Sequence, residues 1–400
     1  MQRDRLLVFV TCGCRNLAYG MSAVMMGLYL ASLGLSTAVI GPIFTAALAG
    51  GALLTVAFST IADRVGRRRV VRVSAGLMAA AAAGFALTNQ PALLALAAAA
   101  GAANPSGKEV GPFGSIEQAI LPQVVSDKQR TATFAAYNMV ASFAGALGAL
   151  ALGLPELAGL HGTAGYRTLV WGYAGIGVLL LTLYLLMSER VEVAEPLAGK
   201  PRLGLGSSRG VVLKLAGLFA VDAFAGGFAV QSILAYWFAL RWGVSAASIG
   251  SIFFGANVAS ALSFLAAAPL ARRIGLLNTM VFTHLPSNIL LLLVPFMPTA
   301  QLAAAMLILR FLLSQLDVPT RQSYTMAVVQ PEERSAAAGI TSVARNTAQA
   351  IAPAFTAATL AVPALGVPFL VSGSLKVVYD LVILATFRKL RPPEERGSSA

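Results

Sequence analysis

Apolar residues run along this chain in long blocks broken by short polar connections, and few blocks show the strict alternation of a half-buried strand. Blocks at 6–33, 38–61, 70–88, 92–124, 131–154, 167–187, 211–241, 247–270, 277–297, 301–328, 336–361 and 367–387 are each close to or above the roughly 20 helical residues that span a bilayer core. They are continuous and rich in Ala and Leu, which favours helices over the ten-residue alternating segments of a transmembrane barrel. The expected fold class is an all-α integral membrane protein with about twelve transmembrane helices in two six-helix pseudo-symmetric halves. The first block follows Met1–Arg5 directly, is too long for a secretory leader and lacks an A-x-A-like site after it, so it is read as an uncleaved first span.

The polar positions inside the blocks are not scattered. Arg15 lies in the first, Lys108, Glu109 and Glu117 in the fourth, Asp222 in the seventh, and Arg310, Asp317 and Arg321 in the tenth. A charge at mid-membrane costs at least ~2.5–3.5 kcal/mol, so such residues face one another or a water-filled cavity, and every third span is expected to line a polar pathway.

Composition agrees: 57% of the 400 residues are hydrophobic and only 11% charged, far from the roughly 25% charged of soluble domains. The net charge of +13 would suit a nucleic-acid binder, yet its Lys and Arg collect in alternate connections, among them Arg64–Arg69, Arg272–Arg273 and Arg388–Arg396. The positive-inside rule accounts for this pattern and places both termini in the cytoplasm, without a nucleic-acid partner. A multi-pass protein of the cell inner (plasma) membrane is expected, acting as a monomer, with no cofactor.

The chain divides into an N-terminal half (1–187), a cytoplasmic linker (188–209), a C-terminal half (210–387) and a tail (388–400). The halves repeat. Gly34-Leu35-Ser36 returns as Gly243-Val244-Ser245, Ile40-Gly41 as Ile249-Gly250, and Val65-Gly66 as Ile274-Gly275, all 209 residues later, while farther on an offset of 204 matches Glu117 with Arg321. Duplicated bundles of this kind are the architecture of carriers with a central site.

After the second span, Ser59-x-x-x-Asp63-Arg64-x-Gly66-Arg67-Arg68 resembles the Gly-x-x-x-Asp-Arg-x-Gly-Arg-Arg signature of the major facilitator superfamily, with Ser59 in place of the first Gly. With the spans and the repeat, the resemblance covers essentially the whole chain. It implies a secondary transporter whose first, fourth, seventh and tenth helices line the cavity, and a conformational latch at Asp63, Arg64, Gly66, Arg67 and Arg68. The Leu-x-x-x-Arg pattern of many proton-coupled members is absent from the fourth span, and the Gly-Pro pair of antiporter-type members is absent from the fifth.

Individual residues then acquire expected roles. Asn104–Pro112 carries two prolines and two glycines near mid-membrane, so the fourth helix is expected to break there and to form the binding region. Glu117, Asp222 and Glu109 are the candidate proton sites, because burial raises a carboxyl group's affinity for protons. Arg15 and Asp222 sit at similar depth and could attract one another. Asp317 and Arg321, four residues apart, share a helical face and can pair. Arg310 has no close counter-charge in sequence and is a candidate for a substrate anion or for Glu109 or Glu117. Gln231, Gln315, Gln322, Asn138 and Tyr137 can add neutral polar contacts. Lys376 and Asp380 are read as a private i,i+4 salt bridge, His284 as a helix-packing residue, and Arg345 as one polar member of the eleventh span.

No nucleophile triad, metal-binding motif or phosphate-cradling loop is visible, which disfavours an enzyme. The reading is a secondary active transporter that moves a small organic solute or drug by alternating access, by proton-coupled efflux, with proton-coupled uptake of an organic anion as the alternative. A channel or a receptor is the non-carrier alternative. The pathway is expected to be charge-balanced, with pairs that exchange partners during transport.

Overall fold

The computed structural model describes residues 2–107, 111–124, 130–192, 207–330, 333–355 and 366–390. Among them there are helices and no strands. The helices are α1 (Gln2–Ser32), α2 (Thr37–Val65), α3 (Arg67–Leu87), α4 (Pro91–Ala97), α5 (Pro112–Val124), α6 (Arg130–Leu150), the single turn α7 (Leu154–Leu157) and α8 (Gly162–Leu185). They continue with α9 (Arg209–Phe228), α10 (Gln231–Trp242), α11 (Ala246–Ile274), α12 (Leu276–Leu293), α13 (Ala300–Ser314), α14 (Asp317–Ala327), α15 (Arg334–Ile351) and α16 (Val367–Phe387).

Among the described residues ten helical stretches are long and apolar enough to cross a membrane. The two expected spans outside that set have physical reasons to differ. The fourth is interrupted: α4 runs into a π-helical stretch, Ala98–Ala102, that ends in extended backbone at Ala103, and α5 starts only at Pro112. Gly101, at φ 105°, supplies the reversal that no L-residue adopts easily. The eleventh, α15, carries Ser, Thr, Asn, Arg and Gln along its length, and 356–365 lie outside the described residues. Large apolar side chains such as Leu53, Leu147, Val178, Phe282, Leu309 and Val382 point outward, as lipid-facing positions require.

The described residues fall into two compact units, one within 2–192 together with Val230–Gly255, the other within 207–229, Ala256–Phe355 and 366–390. The seventh span is therefore divided: α9 belongs to the second unit and α10 to the first. The repeat is written into the backbone of both. Gly66 and Gly275, 209 residues apart, hold φ 105° and 88° at the turns closing α2 and α11, and Gly34 and Gly243 hold 80° and 60° at the turns preceding them.

In the first unit α1 crosses α6 with the backbones nearly in contact. A Cβ at Gly20 would run into the carbonyl of Gly145, and one at Gly148 into the carbonyl of Leu17. Small residues at such crossings let van der Waals packing and weak Cα–H contacts replace the hydrophobic drive that lipid removes. Gly148→Leu is expected to abolish folded, monodisperse protein in size-exclusion chromatography, because backbone rather than a pliable side chain blocks the new atoms. Gly172→Ala, in α8 with open space around its missing Cβ, is expected instead to stabilise by about 0.5–1 kcal/mol in thermal unfolding.

Candidate functional site

The charged residues singled out in the sequence assemble into two buried clusters, one in each unit. In the first, Arg15 on α1 pairs with Glu117 on α5 at 2.9 Å, both side chains 0% exposed. The carboxylate is saturated: Thr11 and Tyr184 donate to Oε1 at 2.6 Å each, Tyr137 donates to Oε2 at 2.7 Å, and the guanidinium donates to the same oxygen. Arg15 also donates to the hydroxyls of Tyr137 (3.0 Å) and Tyr184 (3.3 Å) and lies 5.3 Å from the centre of the Phe113 ring, itself stacked on Tyr184. Four helices thus converge on one ion pair, and every acceptor site of the carboxylate is used.

The second cluster is larger and inverted in sign. Here the carboxylate, Asp222, comes from α9, and the arginine, Arg321, from α14, 3.2 Å apart. Arg345 of α15 reaches the same oxygen at 3.1 Å, and Lys376 of α16 donates to the other. Asp317 takes a second bond from Arg321 at 2.9 Å, the i,i+4 pair expected from spacing. Beyond them His284 of α12 places Nδ1 2.8 Å from Asp380 and Nε2 3.8 Å from Asp222, and Asn288 donates to Asp380 at 2.8 Å. An apolar cluster that includes Phe219 and Tyr379 closes over part of this network, Phe219 under the Arg321 guanidinium and Tyr379 edge-on to His284.

Two sequence expectations change in this geometry. The attraction considered between Arg15 and Asp222 gives way to counter-charges inside each unit, Glu117 for one and three cations for the other. Lys376 and Asp380 do not form a private pair: Lys376 turns to α9 and Asp380 to α12. His284 packs between α12 and α16, where its Nδ1 meets Asp380. Sequence proximity misled in the second case because Asp380 is already engaged by His284 and Asn288, leaving Asp222 as the stronger counter-charge for the lysine. Arg345 was legible only as a polar residue on an amphipathic helix.

Arg310 is buried on α13 with Asp222 and Asp317 as the carboxylates that act on it, and its Nε has no hydrogen-bond partner among the described residues. Gln315 is buried in the break between α13 and α14, where its amide donates to Ser314 at 3.3 Å. Gln231 opens α10 in the first unit, its Nε2 unpartnered among the described residues and its Oε1 against Gly107, where a Cβ would collide with it. Next to it Ser232 donates from its amide to Pro105 O (3.1 Å) and from its hydroxyl to Ala23 O (2.6 Å), so α10 is pinned to the broken fourth span and to α1. Lys108 and Glu109 lie outside the described residues.

At the signature loop, Gly66 ends α2 and the next helix begins at once. The amides of Arg67 and Arg68, in the first turn of α3, donate to Glu192, at 2.6 and 3.2 Å, an anion at a helix N-terminus. The Arg68 guanidinium pairs with Glu189 at 3.3 Å, and Arg72 donates to the carbonyl of Tyr184 at 3.1 Å. These contacts tie the α2–α3 turn to the segment after α8. The side chains of Asp63 and Arg64 lie outside those described.

The sequence model of the Major Facilitator Superfamily matches residues 8–241 and, again, 216–400. The chain belongs to the Major Facilitator Superfamily. As a member of that superfamily it is a membrane transporter and not an enzyme. It is 25% identical to the uncharacterized membrane protein YJR124C of Saccharomyces cerevisiae over 96% of this chain and 94% of that one. The superfamily fold recurs in the solved nucleoside transporter NupG (TM-score 0.75, 15% identity, 97% of this chain and 100% of that one). It recurs also in a D-xylose-proton symporter (0.71, 15%, 99% of each) and in the human organic anion transporter MFSD10 (0.65, 17%, 96% and 99%).

The Arg15–Glu117 pair has no described exposure, so each partner alone is a stranded charge. Arg15→Met or Glu117→Leu is expected to lower stability by about 3–5 kcal/mol, while the double variant recovers much of that loss. Unfolding titrations in mixed micelles check this. Losses that simply add would show that the two residues do not act as a pair.

Proposed function

We propose that this transporter couples the movement of a small organic solute to protons by alternating access, with the Asp222 network as the coupling device. The observation that carries the reading is His284 between two buried carboxylates, Asp380 at 2.8 Å and Asp222 at 3.8 Å. With Asp380 ionised, Nδ1 of His284 carries the proton that bonds that carboxylate. A second proton on Nε2 then faces Asp222. Passed on to Asp222, it cancels the charge that holds Arg321, Arg345 and Lys376 in place.

Glu117 is set aside on this reading because its donors are Thr11, Tyr137, Tyr184 and Arg15, with no histidine among them, whereas Asp222 has His284 at 3.8 Å. The partner exchange at Asp222 also bears on direction. A proton that frees binding groups promotes solute binding, so solute and proton travel together, which favours proton-driven entry over the efflux suggested by the sequence.

Reconstitution into proteoliposomes with an acidic exterior tests this. A panel of labelled solutes is expected to contain one that accumulates inside, up to about tenfold per pH unit for one coupled proton. Asp222→Asn is expected to remove accumulation while leaving solute exchange without a gradient. A transported solute whose flux ignored the gradient would overturn the coupling.

A further inference from the structure

The Asp222 network holds more positive charge than its own carboxylates require. Arg310, Arg321, Arg345 and Lys376 converge on the region of Asp222, Asp317 and Asp380, four cations against three carboxylates with His284 neutral. Two of the cations are not fully committed. Arg310 keeps a buried Nε without a partner among the described residues, although a buried guanidinium nitrogen loses its water and needs an acceptor. Arg345 spends one Nη1 bond on Asp222, and its side chain is 28% exposed where those of Arg321 and Lys376 are 9% and 8%. The network therefore opens outward at Arg345.

Asp222 itself shows what chemistry this place accepts. Its carboxylate is gripped by cations from three helices, α14, α15 and α16. Among the described residues the titratable or charged groups that face it are Lys376, Asp380 and Tyr379 from α16, Arg345 from α15, Arg321 and Asp317 from α14, Arg310 from α13 and His284 from α12. We infer that Asp222 is a built-in stand-in for the substrate's own anionic group, and that the substrate is an organic monocarboxylate which takes over Arg345 and Lys376, with Arg310 as an additional arm, when Asp222 is protonated. The exchange conserves charge: one carboxylate is neutralised by a proton as another arrives, and four cations still face three anions. The inference rests on the proton-coupled reading, to which it adds the substrate class and the residues that select it.

The sign of the pH effect follows from the exchange. Binding takes up one proton at Asp222, so carboxylate binding tightens as pH falls. Asp222→Asn fixes the released state, so binding should be tight at every pH at which the ligand stays ionised.

The test uses the full-length protein in detergent, with thermal-shift titrations of acetate, lactate, hexanoate and benzoate, each paired with its neutral amide, and with phenyl phosphate as the competing oxyanion. The expected result is a carboxylate bound at least about tenfold tighter than its amide, and tighter on acidification. Asp222→Asn is expected to gain about tenfold and lose the pH dependence, and Arg345→Gln to lose about tenfold. If Asp222→Asn does not fold, the wild-type pH series and Arg345→Gln, at the partly exposed edge, decide. Equal binding of every carboxylate and its amide, unchanged affinity in Arg345→Gln, or preference for phenyl phosphate would overturn the inference. Carboxylate binding without proton movement in proteoliposomes would remove the coupling and leave the substrate class. Proton movement driven by the amides would do the reverse.

Discussion

A charge carried into a hydrocarbon layer must bring its counter-charge with it. Removing an ion from water costs several kcal/mol even after the protein relaxes, and only a close partner with further hydrogen bonds offsets that cost. This constraint organises the chain. Each unit builds its buried charge around one short arginine–carboxylate pair, Arg15–Glu117 in the first and Asp222–Arg321 in the second, and the surrounding helices supply the remaining donors and acceptors. Tight glycine crossings such as Gly20 with Gly145 bring the helices near enough for those side chains to meet.

The two clusters have diverged in kind. The first is closed: one anion, one cation, two tyrosines and a threonine with every carboxylate acceptor used, which suits a fixed strut. The second is open-ended, with a carboxylate shared by three cations, a histidine within reach of two acids, and a partly exposed arginine at its edge. Shared partners can be traded at little cost, whereas a saturated pair must be broken outright. A duplicated bundle in which one half is braced and the other adjustable gives a rigid frame for a titratable site.

Much of this was legible in the sequence because a charge in an apolar run is conspicuous. Arg15, Glu117, Asp222, Asp317 and Arg321 announced themselves in that way, and the 209-residue offset reappears in the matched left-handed turns at Gly66 and Gly275. The break in the fourth span was equally plain from Asn104–Pro112. The hidden residue was one whose type is ordinary: Tyr184 looks like a membrane aromatic until its hydroxyl is seen on Glu117. Lys376 and Asp380 were misassigned because local spacing cannot weigh a counter-charge on another helix. The pairing of Arg15 with Asp222 failed for the same reason, since sequence depth says nothing of which acid lies 2.9 Å away.

The central claim is that Asp222 exchanges a charge for a proton as an anionic ligand arrives. Proton uptake on adding a bound carboxylate to the purified transporter in unbuffered detergent solution measures that exchange directly. The account expects about one proton taken up per ligand bound, and none in Asp222→Asn. Binding with no proton uptake, or with the same uptake in the variant, would contradict it.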